Sequence, residues 1–490
     1  MPSDTIAPGA ESEDSSVRAH TSGGRATLEL ILVGLGALAV SLSQSVLIPV
    51  LGELQATYGA NTNWLLTSTL LVAAVAVPIM GRLGDMFGKR LLLLIAIGTL
   101  VVGSLIDALS DSLGWLIVGR AIQGVSAAAI PLGISLLATL LPREKVGNAV
   151  AIISAMLGVG GALGLPFAGF IAENSDWHTL FWVNGAVGLV AFVGILLIVP
   201  ESKQRTGGRV DVVGAVLLSA ALAALVLPLE QGQDWGWSSG RTLGLFAAAA
   251  VLLVVFAVAE LRIGNPLVDL SALRRKPIVL TNLASILFAF ALFASFIGTA
   301  TFVEAGKWTH YGFGSSLMVG GLTLLPSGIA MLIFSPIAAR LIAKIGAPRT
   351  LALGAFIVAI GWTCRYFFSD SLVEVIIGTT ISGAGTGIGY AAMPTLINTN
   401  TPPNEIAAAN GLNSLFRSLG STLASAIGTS ILASSYVVYM VNSKPVMHAG
   451  KPVAAPSIDA YNWLFITCAV VSVLSAVIAL LIPRGEQQAG

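Results

Sequence analysis

Two arginines, Arg120 and Arg417, stand inside apolar runs of this 490-residue sequence, and they have the most chemistry to offer. A guanidinium at such depth is costly unless it faces protein or a water-filled path, so each marks a polar route through an apolar body. At 1.5 Å per residue, Arg120 lies ~10 Å and Arg417 ~16 Å inside its run. Gln123, one helical turn beyond Arg120, reads as its supporting polar group. Three acids, Asp107, Glu304 and Glu374, sit at the edges of such runs, where shallow, solvated placement is expected. Asp107 or Glu304 would supply a titrating group if one is needed, with Arg120 as the neighbour that tunes it. Ser41, Ser43, Gln44, Ser45 and Asn63 could hydrogen-bond a neutral solute. No nucleophile with a paired base, no metal-ligand cluster and no phosphate-cradling loop is found, so an enzyme is not expected. Gly383-Ala-Gly-Thr-Gly-Ile-Gly389 lies inside an apolar run and reads as close helix packing. Cys364 and Cys468 have neither metal-ligand nor disulfide spacing and read as packing residues.

The elements that must position these residues follow from composition. Apolar side chains make up 55% of the chain and charged ones only 10%, against roughly a quarter charged in soluble domains. Mean hydropathy is +0.88, and apolar runs of ~20 residues match the ~30 Å hydrocarbon layer of a bilayer. A net charge of +1 offers no field for nucleic acid. Spans are expected near 28–51, 64–81, 91–109, 113–141, 148–172, 179–200, 211–229, 242–261, 278–303, 315–339, 350–368, 371–397, 406–437 and 461–483, fourteen in all. Residues 1–27 lack the apolar core of a cleavable signal and read as a disordered cytoplasmic tail, with a second tail at 484–490.

Lys and Arg set the orientation, because positively charged loops stay in the cytoplasm. Of the 25, 18 fall on one side: Arg18, Arg25, Arg82, Lys89, Arg90, Arg143, Lys145, Lys203, Arg205, Arg209, Arg262, Arg274, Arg275, Lys276, Arg340, Lys344, Arg349 and Arg484. Only Arg241, Lys307, Arg365, Lys444 and Lys451 fall in loops of the other side, so both termini are expected in the cytoplasm and the chain in the inner, plasma membrane. Pro78-Ile-Met-Gly-Arg-Leu83 with Gly88 recurs 258 residues later as Pro336-Ile-Ala-Ala-Arg-Leu341 with Gly346. Such internal repeats divide transporters into halves with a substrate site between them. The division expected here is a six-helix bundle at 28–200, a linker with two extra helices at 201–277, placed outside any central cavity, and a second six-helix bundle at 278–483.

Gly81-Arg-Leu-Gly-Asp-Met-Phe-Gly-Lys-Arg90 closely resembles the loop signature of the major facilitator superfamily. In it Asp85 can accept from a helix N-terminus or a basic partner in the other half, with Arg82 and Arg90 beside it. Leu116-Ile-Val-Gly-Arg-Ala-Ile-Gln-Gly124 resembles the family's second motif, which implies that Arg120 is the buried arginine associated with proton transfer. Gly158-Val-Gly-Gly-Ala-Leu-Gly-Leu-Pro-Phe-Ala-Gly169 resembles the motif of the family's antiporters, through Gly160, Gly164, Pro166 and Gly169, although Leu165 separates a Gly and a Pro that are usually adjacent. Trp177-His-Thr-Leu-Phe-Trp-Val-Asn184, the two-helix insertion and Asn410-Gly-Leu-Asn-Ser-Leu-Phe-Arg-Ser-Leu-Gly420 together resemble the fourteen-spanner drug:proton antiporters over about residues 30–483.

That resemblance implies an all-α polytopic protein with the major facilitator fold. It implies alternating-access export of small, mostly apolar, drug-like or antibiotic molecules against protons, in a monomer without cofactors or metal. Gln44, Asn63 and Ser41 are the expected substrate contacts, and Asp85, Arg82, Arg90, Arg120, Gln123, Arg417, Glu304 and Asp107 the coupling and gating groups. The chain departs from the family at Ser41-Leu-Ser-Gln-Ser-Val-Leu-Ile-Pro49, where the usual helix-one Asp is missing, so proton coupling must run through another acid. A facilitator or symporter for uptake of a metabolite would share the fold and Arg120 but would not require the Gly158–Gly169 motif.

Overall fold

The computed structural model describes residues 23–483 apart from 48, 203–204, 208–209, 264–265, 268–274, 404, 442–443 and 449–450. The expected tails fall largely on 1–22 and 484–490, outside the described residues, as do Arg18, Lys203, Arg209, Arg274 and Arg484. Helix α1 (Gly23–Ser45) begins inside the expected tail. It is followed by α2 (Leu51–Tyr58), α3 (Trp64–Phe87), α4 (Lys89–Leu109), α5 (Leu113–Gly124), α6 (Ala129–Leu140), α7 (Arg143–Asn174) and α8 (His178–Ile198), which complete the first half. The inserted pair is α9 (Val212–Trp235) and α10 (Gly240–Glu260). The second half comprises α11 (Lys276–Glu304), α12 (Leu317–Leu322), α13 (Leu325–Ile345), α14 (Ala347–Phe367), α15 (Leu372–Thr399), α16 (Ile406–Leu432) and α17 (Ile458–Leu480).

Among the described residues, thirteen stretches are long and apolar enough to cross a membrane. The one expected span not among these thirteen is α16, the thirteenth in chain order and 27 residues long. Asn410, Asn413 and Arg417 make it too polar to face lipid, and it is packed among α3, α6, α9, α11 and α17. Exposed Leu, Val, Ile and Phe side chains on the other helices form the apolar outer surface that a bilayer requires.

Two expected single helices are interrupted. Between α5 and α6 a 3-10 turn spans Val125–Ala128, just before Pro131, which has no N–H for the carbonyl four residues earlier. The break between α12 and α13 precedes Pro326 in the same way. The first expected span stops at Ser45, short of 51, and α2 forms separately. The thirteenth stops at Leu432, short of 437, because Tyr436-Val-Val-Tyr439 is β-branched and aromatic and enters strand pairing. Three short antiparallel pairs follow: β1 (Tyr436–Val438) with β6 (Ala454–Pro456), β2 (Met440–Val441) with β3 (Lys444–Pro445), and β4 (Met447–His448) with β5 (Lys451–Pro452). This finger replaces the end of the expected span.

The repeat is visible in the backbone. Gly88 and Gly346 take φ of 132° and 84° at the starts of α4 and α14, a region that side chains other than glycine resist. Each half has its own apolar core, Val33, Ile97, Leu132 and Ile153 belonging to the first and Phe288, Trp362, Tyr390 and Phe465 to the second. Successive spans cross in alternate directions, α5 with α6 and α12 with α13 each counting as one, so the loops rich in Lys and Arg gather at one end, the basic end; the other is the far end. Helix α9 packs on α3 and α16, one from each half, and α10 packs on α9.

Candidate functional site

Arg120 is buried, with 1% of its surface exposed. Its Nη1 donates to Gln123 Oε1 at 2.6 Å and to the Ser43 carbonyl oxygen at 2.9 Å. The Gln123 amide is used at both ends: Oε1 also accepts from Ser43 Oγ at 2.9 Å, while Nε2 donates to Asp107 Oδ2 at 2.9 Å and to Ser104 Oγ at 3.2 Å. Gln123 therefore lies between arginine and carboxylate, its oxygen toward the cation and its nitrogen toward the anion, the orientation its own donors and acceptors dictate. Close contact of α4 with α5 permits this: a methyl group on Gly103 would sit 2.6 Å from Gln123 Cγ, and one on Gly119 would sit 2.7 Å from Asp107 Cγ.

Asp107 corrects the expected shallow placement, because it is fully buried. Its Oδ1 has no hydrogen-bond partner among the described residues. A buried carboxylate oxygen without a donor is poorly stabilised as an anion, and it is an available position for a proton. Glu304 ends α11 half-buried beside Gly320. Glu374 is explained structurally, since with Ser371 it forms the capping box of α15.

The helix-one serines are turned to packing. Ser41 Oγ donates to the Leu157 carbonyl oxygen at 2.5 Å, and Ser45 Oγ donates to the carbonyl oxygens of Leu42 at 3.1 Å and Gly160 at 3.3 Å. Ser41, one of the expected substrate contacts, thus has its hydroxyl buried between α1 and α7. Gln44 is half-buried and makes none of these contacts. Asn63 lies in a 3-10 turn at Ala60–Asn63, and its side chain is outside the described residues.

Helix α7 presents glycine on two faces. Gly160 and Gly164 lie against Ser41 and Ser45 of α1 in the same half. Gly158 and Gly161 lie against Met331 and Phe296 of the other half, and Gly169 against Met318, whose backbone N lies 2.7 Å from where a methyl group would stand. Pro166 packs on Gly321. At the far end the Glu173 carboxylate accepts from Met318 N at 3.2 Å.

At the basic end Asp85 accepts the backbone N–H of Ala408 at 2.8 Å and of Ala407 at 3.3 Å, the first turn of α16. The expected helix N-terminus of the other half is thus the partner found. Lys89 is no loop residue but lies buried in the first turn of α4, its Nζ 3.5 Å from Asp85 Oδ1. Arg82 is half-buried nearby, and Arg90 donates to the Leu196 carbonyl oxygen. Arg417 is buried, as its depth predicted, with its guanidinium 5.1 Å from the Tyr390 ring centre. Arg365, placed by sequence in a loop, is instead buried in the last turn of α14.

Comparison with known proteins agrees with this architecture. The sequence profile of the Major Facilitator Superfamily matches residues 33–331 and 307–490. The tetracenomycin C resistance and export protein of Streptomyces glaucescens is 30% identical over 86% of this chain and 79% of its own. The multidrug resistance protein Stp of Mycobacterium tuberculosis is 28% identical over 83% of this chain and 76% of its own. The proton:xylose symporter XylE shares the fold, with a TM-score of 0.64 at 16% identity over 94% of this chain and 97% of its own.

Proposed function

The chain belongs to the major facilitator superfamily of multi-pass membrane transporters, and on that premise we propose that it exports small, mostly apolar molecules in exchange for protons by alternating access. The observation that carries the proton step is the buried Asp107–Gln123–Arg120 network. It provides the membrane carboxylate that helix one lacks. An ionised Asp107 attracts Arg120 through the Gln123 dipole, and a proton on Oδ1 removes that attraction. Arg120 holds Ser43 of α1, α1 holds α7 through Ser41 and Ser45, and the opposite face of α7 packs on the other half. A change of charge at Asp107 therefore has a contiguous route to the seam that must open and close. The proton leaves toward whichever side the seam exposes, and the solute moves the other way.

Export is supported by the resistance and export functions in the names of the two bacterial relatives. Concentration of Lys and Arg at one end supports a plasma-membrane orientation with that end, and both termini, in the cytoplasm. The transporter works as a monomer, and its selectivity comes from cavity shape with few polar contacts, Gln44 among them. Uptake of a lipophilic dye into inverted vesicles tests the reading, comparing wild type with Arg120→Ala under an imposed proton gradient. Gradient-driven accumulation that Arg120→Ala abolishes is expected. Equal accumulation with and without the gradient would replace the antiporter by a facilitator.

A further inference from the structure

The 258-residue offset of the repeat carries Asp107 onto Arg365. The structure makes the two positions equivalent. A methyl group on Gly119 would meet Asp107 Cγ at 2.7 Å and the Gly103 carbonyl oxygen at 2.9 Å; one on Gly378 would meet Arg365 Cδ at 2.8 Å and the Gly361 carbonyl oxygen at 3.3 Å. Each half thus seats one ionisable side chain in the same groove between equivalent helices, α4 with α5 and α14 with α15, but with opposite charge. In the first half Arg120 and Gln123 complement the acid. In the second, Thr379 and Ser382 stand where those two would, by the spacing of Gly119 and Gly378, and neither is an anion.

Arg365 is 1% exposed. Nη1 donates to Thr299 Oγ1 at 2.8 Å, while Nε and Nη2 have no hydrogen-bond partner among the described residues. Its remaining attraction comes from aromatic faces, the guanidinium carbon lying 4.7 Å from the Phe465 ring centre and 5.4 Å from that of Phe302. Buried guanidinium groups are ordinarily matched by a carboxylate or phosphate, which they hold through two parallel N–H donors. Beside this one is a cavity of about 530 Å³ at the far end of the second bundle, lined by Arg365, Phe302, Tyr311, Phe465, Asn462 and Asp370. Its size lies in the range of small-molecule sites. Its walls combine aromatic rings, the hydroxyls of Thr309 and Ser369, one amide, the His310 imidazole and the Arg365 guanidinium, and Asp370 is exposed at the surface.

We propose that this cavity binds a small organic monoanion, an aromatic carboxylate, with the carboxylate drawn to Arg365 and the ring among Phe302, Tyr311 and Phe465. The N–H donors Nε and Nη2, which have no partner among the described residues, suit the two oxygens of a carboxylate. Asp370 disfavours a second negative charge on the ligand. The site is built from one half only, from α11, α14, α17 and the turn that holds Tyr311, so it lies off the seam between halves and binding does not depend on transport.

The test is calorimetric titration of benzoate into the full-length protein in phosphatidylcholine nanodiscs. Saturable binding is expected, weakened at least ~10-fold in Arg365→Gln and less in Arg365→Lys, because a lysine keeps the charge but not the fork. Asp370→Asn leaves Arg365 in place and is expected to tighten binding ~2–5-fold by removing an exposed like charge. Phthalate, a dianion, is expected to bind more weakly than benzoate. An unchanged isotherm in Arg365→Gln, or no effect of Asp370→Asn, overturns the proposal. Loss of benzoate binding when phosphatidylglycerol replaces phosphatidylcholine would assign the guanidinium to lipid headgroups and also overturn it.

Discussion

The Asp85 carboxylate of the first half accepts the Ala408 backbone N–H of the second at 2.8 Å, across 323 residues of sequence. Two orphan donors in the first turn of α16 are thereby capped by an acid from another helix, and Lys89 neutralises the acid from the side. Replacing Asp85 with Asn keeps the shape and removes the charge, which weakens closure of the basic end by about 1–2 kcal/mol. A single cysteine at Ala408, in a background without Cys364 and Cys468, is then expected to react with maleimide several-fold faster. Equal labelling rates with and without Asp85→Asn would show that this contact does not hold the end shut.

Asp107 gives the second prediction. If its Oδ1 takes the coupled proton, Asp107→Asn fixes the site in its neutral form, and gradient-driven dye transport falls at least ~10-fold while its dependence on pH flattens. Gln123→Leu is expected to do nearly the same with the acid still present, because it removes the group that, among the described residues, touches both partners, and so uncouples the two buried charges. A full pH profile in Asp107→Asn would move the coupling elsewhere, with Glu304 next in line.

Hydropathy encodes part of this architecture and leaves the rest to side-chain direction. Windows of about twenty residues locate depth, and depth was enough to place the spans, bury Arg120 and Arg417, and set Asp85 at a helix end. Windows do not encode the direction in which a side chain points around its helix. Asp107 near the end of α4 was read as shallow, yet the close crossing at Gly103 and Gly119 turns it inward. Arg365 was misplaced for a related reason: Tyr366, Phe367 and Phe368 follow it at the surface and resemble an interfacial turn, while the helix continues through Phe367. Nor does sequence reveal that α7 offers the serines of α1 carbonyl groups at Leu157 and Gly160. The strand finger was missed because Tyr436-Val-Val-Tyr439 is apolar enough to prolong a span on paper.

The two glycine faces of α7 should separate stability from transport. Gly164 packs on Ser45 within one half, so Gly164→Val forces α1 and α7 apart and is expected to destabilise the protein by about 1–3 kcal/mol. Gly169 packs on Met318 across the seam, so Gly169→Val blocks the approach of the halves without disturbing either core. Thermal unfolding in detergent is expected to shift downward for the first variant only, with transport lost in both. A shift of equal size for Gly169→Val would mean that the seam contributes as much to stability as the interior of a half.

The inserted helix α9 offers the last prediction, because residues two apart on it hold different halves. Gln231 Nε2 donates to Thr67 Oγ1 of α3 at 3.0 Å, and Gln233 Nε2 donates to Thr429 and Ser430 of α16 at 3.1 and 3.0 Å. A strap bonded to both halves resists their separation toward the far end. Each bond contributes about 1 kcal/mol, less where it is exposed to headgroups. Gln233→Ala is therefore expected to favour opening of the far end modestly, and Gln231→Ala, which breaks the buried bond, to favour it more. Maleimide labelling of a single cysteine at Met318, across the seam from Gly169, measures this: faster reaction in both variants, and fastest in the double variant, is expected. Unchanged rates in all three would make α9 a passive passenger on the seam, its glutamines serving only to satisfy one another's neighbours.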